Sequence, residues 1–175
     1  MFTISVTNPH WLPGSEEDED LCLHGHTVAV IGGEQLEFDA TVSATALYLL
    51  KSTREDHIRG AGLQMLPCCG HFLIANEDLS RVEIVGCDYG VDWSVLHEGD
   101  GVRLITESGG NVWIPMAEYR REVFAFADEI ERFYAAGKKK KPSSDDFVRN
   151  GYLAFWREWR TLRGTSTISA KEVSI

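Results

Sequence analysis

The sequence contains no long hydrophobic run. No apolar stretch approaches the roughly 20 residues that a membrane-spanning helix needs. Residues 1–8 also lack the positive charges and the apolar centre of a signal peptide. We therefore expect a cytoplasmic protein that has no membrane partner.

The sequence is also poor in cysteine and in positive charge. Its four cysteines, two of them adjacent, make a poor disulfide framework, which favours a reducing compartment. Seventeen Lys and Arg residues against 27 Asp and Glu residues give a formal net charge of −10. Because nucleic-acid binding needs a basic patch, this charge disfavours nucleic acid as a partner. It favours a basic protein partner, since opposite charges speed the encounter.

Catalytic motifs are absent as well. The chain has no G-x-S-x-G, no phosphate-binding loop and no H-E-x-x-H. His97 and the acidic residues around it can be drawn as an acid–base pair, but Asp next to Gly in a hairpin usually serves the turn itself. A binding protein is therefore favoured over an enzyme.

The chain does contain the material of one folded domain. Its 175 residues are 43% hydrophobic and include five Trp, five Tyr and eight Phe. A chain of this size buries roughly 70% of the surface that its unfolded form exposes. We predict one domain over residues 1–163, followed by residues 164–175 as a frayed tail with little periodicity.

Hydrophobic periodicity predicts an α+β fold. Helices are expected at about 43–53, where the chain is apolar nearly all round, at 115–136, and from Ser143 to shortly before Gly164. Period-two alternation and turn signals predict strands at 3–6, 27–31, 36–42, 71–75, 81–86, 91–96, 102–107 and 111–114. The short connectors favour an antiparallel β-meander sheet, with the early buried helix and the two C-terminal helices packed on it.

A metal site is the sharpest chemical alternative. Sulfur and imidazole ligands suit zinc, and alternate residues of a strand point to the same face. The spacing matches no standard zinc pairing, and free cysteine often packs as a small hydrophobe. We therefore expect no cofactor and keep a small metal-dependent hydrolase as an alternative. Its candidate ligands are Cys22, His24, His26, Cys68, Cys69, His71 and Cys87.

Acidic clusters and two tryptophans are the candidate partner-binding residues. The acids are Glu16, Glu17, Asp18, Glu19 and Asp20 in one block and Asp88, Asp92, Glu98 and Asp100 in a second group. Trp11 and Trp156 are possible anchors, because Trp is common at the energetic centres of interfaces. The competing interpretations are a solvated loop for the acids and core packing for the aromatic rings. A further alternative is a regulatory or scaffold module that oligomerises through its aromatic helices, whereas we expect a monomer or weak dimer.

Two aromatic segments resemble a family of bacterial proteins. The run Glu118-Tyr-Arg-Arg-Glu-Val-Phe-Ala-Phe-Ala-Asp-Glu-Ile-Glu-Arg-Phe-Tyr134 and the run Phe155-Trp-Arg-Glu-Trp159 look like immunity proteins encoded beside polymorphic toxins of the Rhs and contact-dependent type. The segment 8–14 shares the resemblance. It implies a protein that binds its cognate toxin stoichiometrically in the cytosol of the producing cell and blocks the active site. Many such toxins are basic nucleases, which an acidic inhibitor would complement, and the resemblance assigns no catalytic residue.

Overall fold

Three helices and several antiparallel sheets make up the part of the chain that the structure describes. The computed structural model describes residues 1–12, 18–70, 72–141 and 143–164. The predicted α+β class with its C-terminal helices is confirmed, whereas the tail beyond Gly164 lies outside the described residues. The elements in chain order are β1 (Phe2–His10), β2 (His24–Ile31), β3 (Glu34–Ala40), α1 (Val42–Ser52), β4 (Leu66–Pro67), β5 (Phe72–Ala75), β6 (Val82–Val85), β7 (Gly90–Val91), β8 (Trp93–Glu98), β9 (Gly101–Thr106), β10 (Asn111–Pro115), α2 (Met116–Ala136) and α3 (Asp146–Arg163).

The strands are divided among sheets instead of forming one continuous meander. β1, β2 and β3 form one three-stranded sheet, β8, β9 and β10 form another, and β4–β7 and β5–β6 are two-stranded. Short connectors dictate local hairpins, but they do not dictate that neighbouring hairpins join edge to edge. The buried helix α1 supplies the reason: nine of its residues are buried, so it needs apolar neighbours on several sides.

Residues 66–91 form one long hairpin with a gap in its ladder. Leu66 pairs with Val91 at its base, and Phe72 pairs with Val85 nearer its tip. Both paired regions keep the same register because the intervening segments, 68–71 and 86–89, are equally long. We call this element the 66–91 hairpin. Gly86 is required within the gap, since a Cβ there would overlap the carbonyl oxygen of Cys69.

Helices cover the hairpin on its inner side. From α1, the Tyr48 hydroxyl donates to the Ile84 carbonyl at 3.3 Å and the Lys51 ammonium donates to the Val82 carbonyl at 2.6 Å. These bonds satisfy carbonyl groups of β6 that would otherwise be open to another strand. From α3, Gly151 lies directly against the Leu73 backbone, where any Cβ would overlap the carbonyl oxygen.

A buried carboxylate joins α3 to α1 and β6. Glu158 is 4% exposed and accepts a hydrogen bond of 2.8 Å from the Val82 amide. Its carboxylate also lies 3.3 Å from the Lys51 ammonium and 3.5 Å from the Arg81 guanidinium. Since a buried charge is tolerated only when it is paired and hydrogen-bonded, this network fixes the position of α3.

The two C-terminal helices differ in how they begin. α2 starts at Met116, one residue after the predicted first helical residue Pro115, and none of the described helices is long and apolar enough to cross a membrane. α3 starts at Asp146, later than the predicted Ser143. The Asp145 carboxylate caps α3 by accepting from the amides of Phe147 and Val148 at 2.8 and 3.2 Å. An Asp at this position satisfies free amides of the first turn, so the helix begins there.

Candidate partner-binding surface

The acidic block is partly committed to the fold. Glu16 and Glu17 lie outside the described residues, and Glu19 is exposed. Asp18 forms an ion pair with Lys141, and this hydrogen-bonded ammonium lowers the pKa of the Asp18 carboxyl. The Asp20 carboxylate accepts from the backbone amides of Leu12 and Cys22 at 2.8 and 3.1 Å. The predicted acidic patch is therefore narrower at this end of the chain than the sequence indicates.

Asp92 in the second acidic group also acts inside the molecule. Its carboxylate lies 2.8 Å from Nε2 of His57, with both side chains largely buried. It also accepts from the amides of Gly60, Met65 and Trp93 at 2.9, 3.1 and 3.0 Å. The Asp92 carboxylate thus has four hydrogen-bonding partners within the chain and holds the loop between α1 and β4 in place. We therefore assign it no contact with a protein partner.

The other acids of this group are exposed but lie apart from each other. Asp88 precedes β8, while Glu98 and Asp100 lie at its far end, in the β8–β9 turn. A six-residue strand spans about 20 Å, so Asp88 cannot form an acid–base pair with Glu98 or Asp100. Glu98 is paired with Arg103, whose Nε lies 2.6 Å from its carboxylate. Asp88 and Asp100 are exposed at the surface.

Trp11 and Trp156 belong to one aromatic cluster instead of projecting outward. Both are half-buried, and both rings lie 5.0 Å from the ring of Tyr134 in edge-on geometry. The Lys140 ammonium covers the Trp11 ring at 3.0 Å from its centroid. Trp156 also contacts Trp159 at 5.2 Å. These contacts place both rings at a junction between α2, α3 and the end of β1, where each ring keeps part of its surface exposed.

The candidate metal ligands do not converge on one centre. Among residues 1–12, 18–70, 72–141 and 143–164, no group of three or more His, Cys, Asp or Glu side chains is arranged to hold a metal ion. Cys22 is buried and lies outside β2, and Nδ1 of His26 is 2.8 Å from the Asp39 carboxylate. His24 lies within ring contact of His10, at 6.1 Å.

The remaining candidate ligands belong to the 66–91 hairpin. His71 lies outside the described residues. Cys68, Cys69 and Cys87 do come together, in the gap of the hairpin. The sequence suggested Cys68, Cys69 and His71 as one cluster and Cys87 as a separate contributor, whereas the structure places Cys87 beside Cys68 and Cys69.

The exposed apolar surface of the 66–91 hairpin was not foreseen. Side chains of β5 and β6 alternate between buried and exposed. The outward positions are Phe72, Ile74, Glu83 and Val85, which are adjacent because Phe72 pairs with Val85 and Ile74 with Glu83. We call these four residues the hairpin face. Three of the four are large and apolar, with 57%, 39% and 40% of Phe72, Ile74 and Val85 exposed.

No family model, curated protein or solved structure matches this chain. What the hairpin face can bind therefore follows from its own geometry. An outward face of a two-sided sheet is ordinarily polar, and adjoining exposed apolar side chains often mark interaction sites. An open groove of about 320 Å³ borders the face and is lined by Tyr48, Lys51, Ile74, Ala75, Asn76, Arg81, Val82 and Glu83.

The signal for this surface was present in the sequence. In the segments 72–75 and 82–85, nearly every residue is apolar, whereas a strand with one wet face alternates apolar and polar residues. A continuous apolar run predicts burial on both sides, yet Phe72, Ile74 and Val85 are 57%, 39% and 40% exposed. The excess of apolar residues is thus the feature that distinguishes this hairpin from an ordinary surface hairpin.

Proposed function

We propose that this chain is a binding protein of the immunity type, which neutralises a basic bacterial toxin domain in the cytoplasm by stoichiometric binding. The observation that carries the proposal is the hairpin face, where Phe72, Ile74 and Val85 form a connected apolar surface on rigidly supported strands. Such a surface suits a protein partner because it offers area and shape without catalytic groups.

The apolar part supplies affinity. Complete burial of one large aliphatic or aromatic side chain is worth about 1.5–3 kcal/mol, and these three residues are already partly covered. They therefore contribute a few kcal/mol, which is the scale of an energetic centre in an interface. The surrounding interface has to reach about 800 Å² on each partner, and the adjoining groove extends the surface towards Arg81 and Asn76.

The charged part supplies orientation and speed. Glu83 lies within the hairpin face, and Asp88 is exposed a few residues further along the same arm. Together with the net charge of −10, these carboxylates attract a basic partner and accelerate its approach. Asp18, Asp20 and Asp92 are engaged within the fold, so the proposal assigns them no contact with the partner.

The test begins with the tagged chain as bait in its native host. A basic protein recovered in equimolar amount is then expressed alone in a naive bacterial host. We expect it to arrest growth and co-expression of this chain to restore growth. The triple variant Phe72→Ser, Ile74→Ser and Val85→Ser should abolish the rescue. Ile58→Ser, at a residue that is 58% exposed outside the hairpin, is the matched control and should rescue fully.

Each other outcome has a defined meaning. Rescue by the triple variant would show that the hairpin face is not the binding site. A recovered partner that does not arrest growth would contradict the inhibitor function. Self-association detected by light scattering and abolished by the triple variant would assign the face to a second copy of the chain. One equivalent of zinc in the purified protein would favour the hydrolase instead.

A further inference from the structure

Three of the four cysteines meet in the gap of the 66–91 hairpin. Cys68 and Cys69 are on one arm and Cys87 is on the other. The Cys68 amide donates to the Tyr89 carbonyl at 2.9 Å, as in a regular antiparallel ladder. The Cys87 amide donates instead to the sulfur of Cys69 at 3.0 Å. A hydrogen bond from the Cys87 amide to the Cys69 sulfur therefore connects the two arms where a backbone–backbone hydrogen bond would be expected.

The gap is what makes this approach possible. In an unbroken ladder with the register of this hairpin, Cys69 would lie opposite Asp88, and the side chains of Cys69 and Cys87 would point to opposite faces. The ladder is unpaired at these positions, and Gly86 allows the arms to approach closely because it has no Cβ to meet the Cys69 carbonyl. Both sulfur atoms are thereby brought to the same side of the hairpin.

The cluster is open to solvent and its thiols differ from one another. Cys68 and Cys87 are exposed and Cys69 is half-buried. The pKa of Cys87 is lowered, chiefly because the Cys69 thiol donates a hydrogen bond to it, whereas burial raises the pKa of Cys69. Cys22, by contrast, is buried, and burial raises its pKa to about 12. The chain thus has one reactive cluster and one protected cysteine.

We propose that Cys69 and Cys87 are an oxidative modification site, which hydrogen peroxide converts into a disulfide across the gap of the 66–91 hairpin. The Cys87 thiolate attacks one peroxide oxygen, the O–O bond breaks, and hydroxide leaves and takes up a proton to form water. Cys87 then carries a sulfenic acid. The Cys69 thiolate attacks this sulfur, the S–O bond breaks, and a second water forms with the Cys69 proton. Two thiols are oxidised and one peroxide is reduced to two waters.

Trypsin separates the relevant cysteines. Cleavage after Arg59, Arg81 and Arg103 yields peptide 60–81 with Cys68 and Cys69 and peptide 82–103 with Cys87, while Cys22 remains in peptide 1–51. The reduced full chain is treated with hydrogen peroxide, blocked with iodoacetamide and digested without reductant. We expect a linked pair of peptides 60–81 and 82–103, lighter by two hydrogens than their sum, that disappears after reduction. Cys22 should be alkylated only after unfolding.

Two variants identify the partner of Cys87. Cys68→Ser should keep the linked pair and Cys69→Ser should lose it. A third variant that combines Cys68→Ser with Cys69→Ser removes both thiols that lie near Cys87, so dimedone should label the sulfenic acid in peptide 82–103; this readout holds even if the variant is less stable. The proposal is wrong if Cys68→Ser abolishes the link, if peptide 60–81 loses two hydrogens by itself, or if dimedone leaves Cys87 unlabelled.

Discussion

At the scale of single residues, one carboxylate holds a long connection in place. The loop between α1 and β4 has few buried side chains of its own and two glycines, Gly60 and Gly62. Asp92 anchors it through His57 and through the amides of Gly60 and Met65. The loop contains no helix or strand, although His57 exchanges two backbone hydrogen bonds with Val95 of β8. Other backbone amides of the loop donate to the Asp92 carboxylate, which satisfies them where no strand does.

Replacing Asp92 should therefore weaken the fold strongly. Asp92→Ala leaves the partly buried His57 ring and three backbone amides without their acceptor. We expect the free energy of unfolding to fall by about 3 kcal/mol, since hydrogen bonds to a charged group are worth about 1.5–3 kcal/mol. The matched control is Asp100→Ala, at an exposed turn residue, which should change it by less than about 0.5 kcal/mol. Urea unfolding measures both, and equal losses in the two variants would contradict this role.

At the scale of elements, α3 depends on a glycine in its middle. Glycine costs a helix about 1 kcal/mol relative to alanine, so Gly151 weakens α3 locally. It is nevertheless required, because the helix lies directly on the Leu73 backbone of β5. Contact between helix and strand here takes precedence over helix propensity.

The variant Gly151→Ala tests this order of effects. Propensity alone predicts a gain, whereas overlap with the Leu73 carbonyl predicts a net loss of about 2 kcal/mol in the free energy of unfolding. Gly62→Ala, in a loop where a Cβ meets nothing within 4 Å, is the control and should be nearly neutral. A thermal midpoint for Gly151→Ala at or above that of the unchanged chain would show that α3 can move away from β5 at little cost.

Elements with strong periodicity could be predicted from the sequence. α2 was predicted within about one residue at each end because its apolar residues recur at steps of three and four. The start of α3 was placed too early, since Ser143 and Asp145 both have capping side chains and only geometry chooses between them. The two-residue strand β4 was missed, and Val91 of β7 was predicted as part of one strand with β8, because pairs this short leave no period of their own.

The candidate surface was less predictable than the fold. The acidic residues were predicted to bind a partner because of their charge alone. Asp20 and Asp92 instead accept hydrogen bonds from backbone amides of the chain, which the sequence does not indicate. Trp156 was an even choice between core and interface, and four neighbouring aromatic rings hold it within the cluster. The hairpin face depends on which side of β5 is covered by α3, which no local pattern specifies.

At the scale of the whole molecule, one apolar core connects all three helices and both three-stranded sheets. Leu23, Leu47, Trp93, Val123 and Trp159 are fully buried members of this cluster from distant parts of the chain. Separate sheets therefore do not imply separately folding units. This arrangement agrees with the prediction of one domain over residues 1–163, which remains a prediction.

Unfolding should accordingly be cooperative. We expect tryptophan fluorescence, far-ultraviolet circular dichroism and calorimetry to report the same thermal midpoint, with equal calorimetric and van't Hoff enthalpies. Trp93 in β8 and Trp159 in α3 are buried core residues from a sheet and from a C-terminal helix, so their fluorescence reports on both. A fluorescence transition several degrees from the dichroism transition would show that the C-terminal helices separate from the sheets first.

The segments 68–71 and 86–89 of the 66–91 hairpin are equally long, which has a consequence for insertions and deletions. Segments 68–71 and 86–89 each contain four residues, so the two arms of the hairpin pair in the same register on both sides of the gap. Loss of one residue from a single segment would shift that register by one position. Because side chains alternate, Phe72 and Ile74 would then turn inward and Leu73 outward. A second deletion in the opposite segment would restore the register, so two losses would be tolerated better than one.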